Sequence, residues 1–213
     1  MDGTIVRIAI VDDHAMFAEG LRSWLAAHDP QVTVTYLGPD PATALQFGPE
    51  LDAVLLDIDL GPGAPRTADT VDAFARQHVP VLLVSALARG VPLREAIVAG
   101  AAGYLSKASD PGELLTRLRQ VARGEYVVTR EVAEVMCSPA PPDLSGQELR
   151  ALQLYAQGMP LKVVARRMSI SQHTAKEYLD RVRAKYAASG RTARTKTELH
   201  SVAREDGLLT DEP

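Results

Sequence analysis

The chain has 213 residues, 46% of them hydrophobic and 23% charged, which describes an ordinary globular protein. The single Cys137 excludes an internal disulfide, and no stretch reaches the roughly 18 apolar residues of a membrane helix. The net charge of −4 is uneven: residues 1–137 hold 11 basic and 18 acidic side chains, residues 138–213 hold 12 and 9, and the window 160–196 holds 10 and 2.

The opening MDGTIVRIAIVDD carries acids where a secretory signal would carry bases, so a reducing, cytoplasmic location without membrane contact is expected. From there to residue 123 two patterns alternate. IVRIAIV (5–11), VTVTYL (32–37), AVLLD (53–57), VPVLLVSA (79–86) and AGYLSK (102–107) are short apolar runs and predict strands. AMFAEGLRSWLAAH, TADTVDAFARQH, PLREAIVAG and PGELLTRLRQVARG lie between and after them as amphipathic helices. This order predicts an α/β doubly wound, five-stranded parallel sheet over residues 1–123.

In such a sheet functional groups collect at the carboxyl ends of the strands. Those ends carry Asp12 and Asp13, then Asp57 with Asp59 beyond it, then Ser85, then Lys107. Neighbouring carboxylates repel unless a cation intervenes, and an all-oxygen ligand set suits Mg²⁺. A metal on Asp12 and Asp13 could neutralise phosphate oxygens while an Asp57 carboxylate oxygen attacks phosphorus. Ser85 could then hydrogen-bond a phosphoryl oxygen and Lys107 could pair with it. Taken singly, each residue has a simpler structural role; Asp13 could cap the helix that starts near His14.

CSPAPPD (137–143) has three prolines in seven residues, and 124–143 as a whole reads as a linker. Residues 144–213 carry no strand signal and read as a small all-α domain of four helices. Ser145 and Glu148 have capping-box spacing, Gly158 suits a helix end, Pro160 a helix start, and Ser171 a further cap. Helix 160–168, a turn at 169–171 and helix 172–186 form a helix-turn-helix, whose second helix enters the major groove of double-stranded DNA. Ala175, Leu179, Val182 and Tyr186 recur at helical spacing and face the core. Gln172, His173, Lys176, Glu177, Asp180 and Arg183 are left outward, with Arg181 and Lys185 flanking them, and Lys162, Arg166 and Arg167 on the preceding helix can reach phosphates. Glu177 and Asp180 can accept from a cytosine amino group, which points to cytosine-containing half-sites. Arg191, Arg194 and Lys196 are weaker candidates on a loop that could equally be solvated.

IAIVDDH, AVLLDIDL, VLLVSA and GAAGYLSKASDPGEL resemble the receiver domain of bacterial two-component response regulators across residues 5–123. The resemblance implies that Asp57 is the phosphoacceptor and that Mg²⁺ is held by Asp12, Asp13, Asp57 and the backbone carbonyl of Asp59. It also makes Ser85 the switch hydroxyl, Tyr104 the switch aromatic and Lys107 the phosphate-pairing lysine. LSGQELRALQLYAQG, VVARRMSISQHTAKEYL and RAKY, within residues 144–209, resemble the LuxR-type helix-turn-helix of NarL/FixJ regulators. Together they imply a transcription factor rather than an enzyme. The resemblance further implies that a sensor histidine kinase phosphorylates it and that it then binds DNA as a homodimer.

Three departures stand out. DIDLGPGAPRT displaces the proline that usually follows the phosphoacceptor, Ala108 follows Lys107, and Tyr178 replaces a histidine. The first bears on phosphorylation, so a phosphorylation-independent DNA-binding regulator is the alternative. LLDIDLG also resembles the D-x-D motif of haloacid-dehalogenase-type phosphohydrolases, with Asp57 as nucleophile and Asp59 as general acid.

Overall fold

A computed structural model describes residues 5–86 and 90–209; the remaining residues of the two predicted domains lie outside the described set. The chain divides into two compact units, with the change near Cys137.

The first unit is built on five parallel strands, β1 (Val6–Val11), β2 (Val32–Gly38), β3 (Ala53–Asp57), β4 (Val81–Ser85) and β5 (Gly103–Ser106). Their order is β2-β1-β3-β4-β5. Every residue of β3 and β4 is buried, as a strand covered on both faces requires. Successive side chains divide between two apolar clusters with a period of two. Ala9, Val11, Val54, Leu56, Val81 and Leu83 enter one cluster; Ile8, Ile10, Ala53, Leu55, Leu82 and Val84 enter the other. Helices α1 (Ala15–His28) and α5 (Pro111–Ala122) cover the second cluster, with Leu21, Leu25, Leu114 and Leu118 buried. Helices α2 (Pro41–Leu45), α3 (Thr67–Arg76) and α4 (Val91–Val98) cover the first, through Ala44, Phe74 and Leu93.

Two α-helices of this unit were not expected. Helix α2 has only five residues, too few for a periodic pattern; Asp40 caps it, accepting from the amides of Ala42 (3.0 Å) and Thr43 (3.1 Å). Within the segment read as linker, Arg130–Cys137 forms a helix, α6. Val132 is buried in the first cluster, Val135 packs against it, and Arg94 donates to the Val135 carbonyl. Upstream of it Val127 forms a bridge with Gly103 of β5. The linker therefore shortens, because three apolar side chains tie 127–135 to the sheet and its helices. Val132→Asp would set an unpaired carboxylate in that cluster, a larger penalty than undocking one short helix. Amide exchange over Arg130–Cys137 should then accelerate by about tenfold or more while the strands keep their protection.

The second unit contains α7 (Gly146–Ala156), α8 (Leu161–Arg167), α9 (Gln172–Ala188) and α10 (Lys196–Glu205). The expected capping box holds: the Glu148 amide donates to Ser145 Oγ (3.4 Å), and the Ser145 amide donates to Glu148 Oε2 (2.8 Å). Ser171 caps α9, accepting from the Thr174 amide at 3.0 Å. The tight turn places Ser169 at φ 56°, in the left-handed region. Ala175, Leu179, Val182 and Tyr186 are all buried, as their spacing requires. Pro160 is the N-cap of α8 rather than its first helical residue.

Candidate functional site

In the first unit the strand order reverses between β1 and β3, and the crevice at that reversal is where an open parallel sheet places its ligands. Asp12 follows β1 and Asp57 ends β3, both almost fully buried. Lys107, just beyond β5, reaches back to both: its Nζ lies 2.6 Å from Asp57 Oδ2 and 2.7 Å from Asp12 Oδ2. Asp13 is less buried and its Oδ1 lies 2.7 Å from His14 Nδ1.

Asp13 does not cap α1. The His14 amide instead donates to Asp12 Oδ1 at 2.8 Å, and His14 occupies the cap position without a side-chain bond of its own. That turn carries the imidazole into the cluster, with Nδ1 3.2 Å from Asp12 and 3.5 Å from Asp57. Asp12, Asp13, His14 and Asp57 each offer one ligand atom within 4.8 Å of all the others. His14 is the member that residue patterns did not single out; its position straight after a paired aspartate was the available signal.

Burial raises the pKa of Asp57, the Lys107 hydrogen bond opposes that, and the charge of Asp12 adds to it. Burial alone would lower the Lys107 ammonium, but its hydrogen bonds to Asp12 and Asp57 outweigh this and raise it. Lys107 pairs with Asp12 and Asp57 while Asp13 lies against His14, and the residual negative charge of the three carboxylates is what a hard divalent cation relieves. The donor set thus fits such an ion.

Asp59 sits differently from the other acids. Its carboxylate accepts from the Gly61 amide (3.1 Å) and its own amide donates to Asp57 Oδ1 (3.3 Å), so its side chain serves the loop rather than the cluster. Gly61 has φ 79°, and a Cβ there would come within 3.3 Å of Asp13 Oδ2. A glycine at this point in GPGAP lets the loop turn beside the acids. Ser85 and Tyr104 are both buried. The Ser85 carbonyl accepts from the Lys107 amide (2.9 Å) and from the Tyr104 hydroxyl (3.4 Å), which ties three strand-end residues together. A nucleophile of the haloacid-dehalogenase type belongs after the first core strand, whereas Asp57 ends the third.

In the second unit, Gln172, His173, Lys176, Glu177, Asp180 and Arg181 are exposed along α9, and Lys162, Arg166 and Arg167 are exposed on α8. Arg181 lies over the Tyr178 ring, 5.5 Å from its centroid. The other basic residues are placed otherwise than their spacing implies. Lys185 Nζ lies 2.6 Å from the buried carboxylate of Glu148 and donates to the Asp143 carbonyl at 2.7 Å, a brace between α9 and α7 rather than a free phosphate ligand. The same ion pair lowers the pKa of Glu148. Arg183 is also committed, to Asp180 (2.8 Å) and to the Arg194 carbonyl (3.0 Å). Arg191 binds Asp206 and Glu205, and Lys196 donates to the carbonyls of Gly158 and Met159 in the turn between α7 and α8. The loop before α10 is therefore held to the domain by its basic side chains.

Two family models match the chain: the response regulator receiver domain over residues 8–119, and bacterial regulatory proteins of the luxR family over residues 142–196. The transcriptional activator protein ExaE of Pseudomonas putida is 31% identical over 95% of this chain and 97% of its own length. The nitrate/nitrite response regulator protein NarL of Escherichia coli is 27% identical, covering 81% of this chain and 85% of that one. Among solved structures, response regulator ChrA of a heme-sensing two-component system aligns over 96% of this chain and 99% of its own, with TM-score 0.56 and 28% identity. The response regulator of an RcsB–DNA complex, 17% identical with TM-score 0.57 over 95% of this chain and 99% of that one, shares the fold.

Proposed function

The chain belongs to the bacterial two-component response regulators that carry a LuxR-type DNA-binding domain, and we propose that a sensor histidine kinase phosphorylates it on Asp57 and so shifts it toward a homodimer on double-stranded DNA. The observation that carries this reading is the meeting of Asp12, Asp13, Asp57 and Lys107 at the reversal point of the sheet. A cytoplasmic setting follows, since kinase and chromosome are both reached there.

Mg²⁺ held by Asp12, Asp13, Asp57 and the Asp59 carbonyl would supply positive charge against the phosphoryl oxygens. The chain's own residues do the rest. An Asp57 carboxylate oxygen forms the new O–P bond as the N–P bond of the kinase phosphohistidine breaks, and the imidazole keeps the electron pair. Lys107, already 2.6 Å from Asp57, then exchanges a carboxylate for the phosphoryl group. Ser85 supplies a hydroxyl to a phosphoryl oxygen, and Tyr104, bonded to the Ser85 carbonyl, senses its movement. Such a change acts by biasing two pre-existing states. In the second unit α9 enters the major groove, while Lys162, Arg166, Arg167, Lys176 and Arg181 meet phosphates.

Sequencing DNA fragments bound with and without a small acyl phosphate tests the whole reading. Recovery of the same fragments in equal amount under both conditions would favour the phosphorylation-independent regulator. Cation binding has its own test. At about one hundred times its Kd, Mg²⁺ should stabilise the protein by about 2.7 kcal/mol and raise Tm by about 10 °C. Replacing Asp12 and Asp13 by Ala should remove that rise in thermal unfolding followed by circular dichroism.

A further inference from the structure

We infer that Glu177 sets the base preference of α9, by accepting a hydrogen bond from the amino group of a cytosine in each half-site. The inference rests on the DNA-binding reading above and assigns the discriminating residue within it.

Helix α9 presents Gln172, His173, Lys176, Glu177 and Asp180 on one exposed strip. Two of these are acids, and their surroundings differ. Arg183 Nη1 holds Asp180 Oδ1 at 2.8 Å, and Arg183 Nε donates to the Arg194 carbonyl at 3.0 Å. Asp180 is thus one end of a chain of bonds running into the loop before α10, its charge matched inside the domain. Among the described residues, Glu177 has no partner nearer than His173 Nε2, 3.6 Å away, and its side chain is 48% exposed. It stands midway along the strip, facing only the exposed His173 ring one turn back, with no hydrogen bond to its oxygens among the described residues.

A carboxylate inserted between phosphates is repelled by them and loses water, so its place in the groove is unfavourable unless a donor meets it. Two bases offer an amino donor in the major groove. Adenine places its N7 acceptor beside that amino group, which a carboxylate repels. Cytosine offers the amino group with no acceptor next to it on the same base. The committed Asp180 and the uncommitted Glu177 therefore divide the roles of spacing brace and base reader, a division that the spacing of the two acids does not reveal. Glutamine is isosteric with glutamate but both donates and accepts, which matches the N7 and N6 of adenine. The same position should thus change its partner when the charge is removed.

The test is selection from random double-stranded DNA by the full chain, treated with Mg²⁺ and a small acyl phosphate, followed by affinity measurements on the enriched sites. The wild type should prefer cytosine at one position per half-site by about five- to a hundredfold. E177Q should exchange that preference for adenine. E177A should lose it while binding non-specific DNA more tightly, since a charge opposed to phosphate has gone. Retention of the wild-type cytosine preference in both variants would overturn the inference and leave the DNA-binding reading intact. So would a preference that vanishes in D180A but survives in E177A. A wild-type protein that enriches no DNA at all would overturn both.

Discussion

Asp57→Asn is expected to reduce acid-labile phosphorylation by a small acyl phosphate to background, and to make DNA binding indifferent to the phosphodonor. The amide oxygen that replaces the carboxylate is a much weaker nucleophile, and no other carboxylate takes the same place at the end of β3. The loss should occur without unfolding. Asp12, Asp13 and Asp57 are three clustered carboxylates, two of which share the Lys107 ammonium, and Asn removes one negative charge while Lys107 keeps Asp12 at 2.7 Å. Stability at neutral pH should hold or rise. Urea denaturation beside a phosphorylation assay separates the two effects. A variant that still takes up label refutes Asp57 as the acceptor, whereas a collapsed one refutes the charge argument.

Asp206→Ala is expected to have the largest effect on stability, and to confine it to the helical unit. Tyr186 is fully buried on α9, and its hydroxyl donates to Asp206 Oδ2 at 2.7 Å. Arg191 donates to Asp206 Oδ1 at 2.6 Å and lies over the Tyr186 ring at 5.3 Å. Alanine leaves a buried hydroxyl and a largely covered guanidinium without their shared acceptor, a change worth about 3 kcal/mol. A small helical unit has little stability beyond that. Denaturation of the full chain should show an early helical transition, with DNA binding lost at the temperature where it begins. Tyr186→Phe removes one hydrogen bond and should cost about 1 kcal/mol. An unshifted transition in Asp206→Ala would show that the network holds nothing.

The same tyrosine predicts a response to pH. Burial first, and the Asp206 hydrogen bond second, push the Tyr186 hydroxyl well above its ordinary value of 10.0. The folded unit therefore keeps a proton that the unfolded chain releases. This contribution is fully present below pH 10.0 and is lost as the pH climbs past it toward the folded value. Tyr186→Phe should flatten that alkaline decline and remove from the tyrosinate absorbance an ionisation that appears only with unfolding.

Much of this was legible along the chain. AVLLD and VLLVS sit at the centre of a sheet covered on both faces, where strands must be apolar throughout, and they read so. The core face of α9 followed from intervals of four, three and four, because a helix repeats its directions locally. The places of Asp12, Asp57 and Lys107 at the ends of apolar runs bring them to one edge, since parallel strands all end on the same side.

Other features depend on where the chain returns to itself. Helix α6 has a short apolar stripe that only the cluster around Phe74 and Leu93 makes meaningful. Lys185 and Arg191 have the charge of DNA ligands, yet Glu148 and Asp206, 37 and 15 residues away along the chain, engage them in ion pairs within the fold. His14 enters the acidic cluster because its amide turns onto Asp12. Local periodicity and the alternation of strands and helices were thus enough for the architecture, the acidic edge and the buried face of α9. Which charges remain available was decided only by tertiary contacts, because an ion pair forms between groups that folding brings within a few ångströms, whatever their separation along the chain.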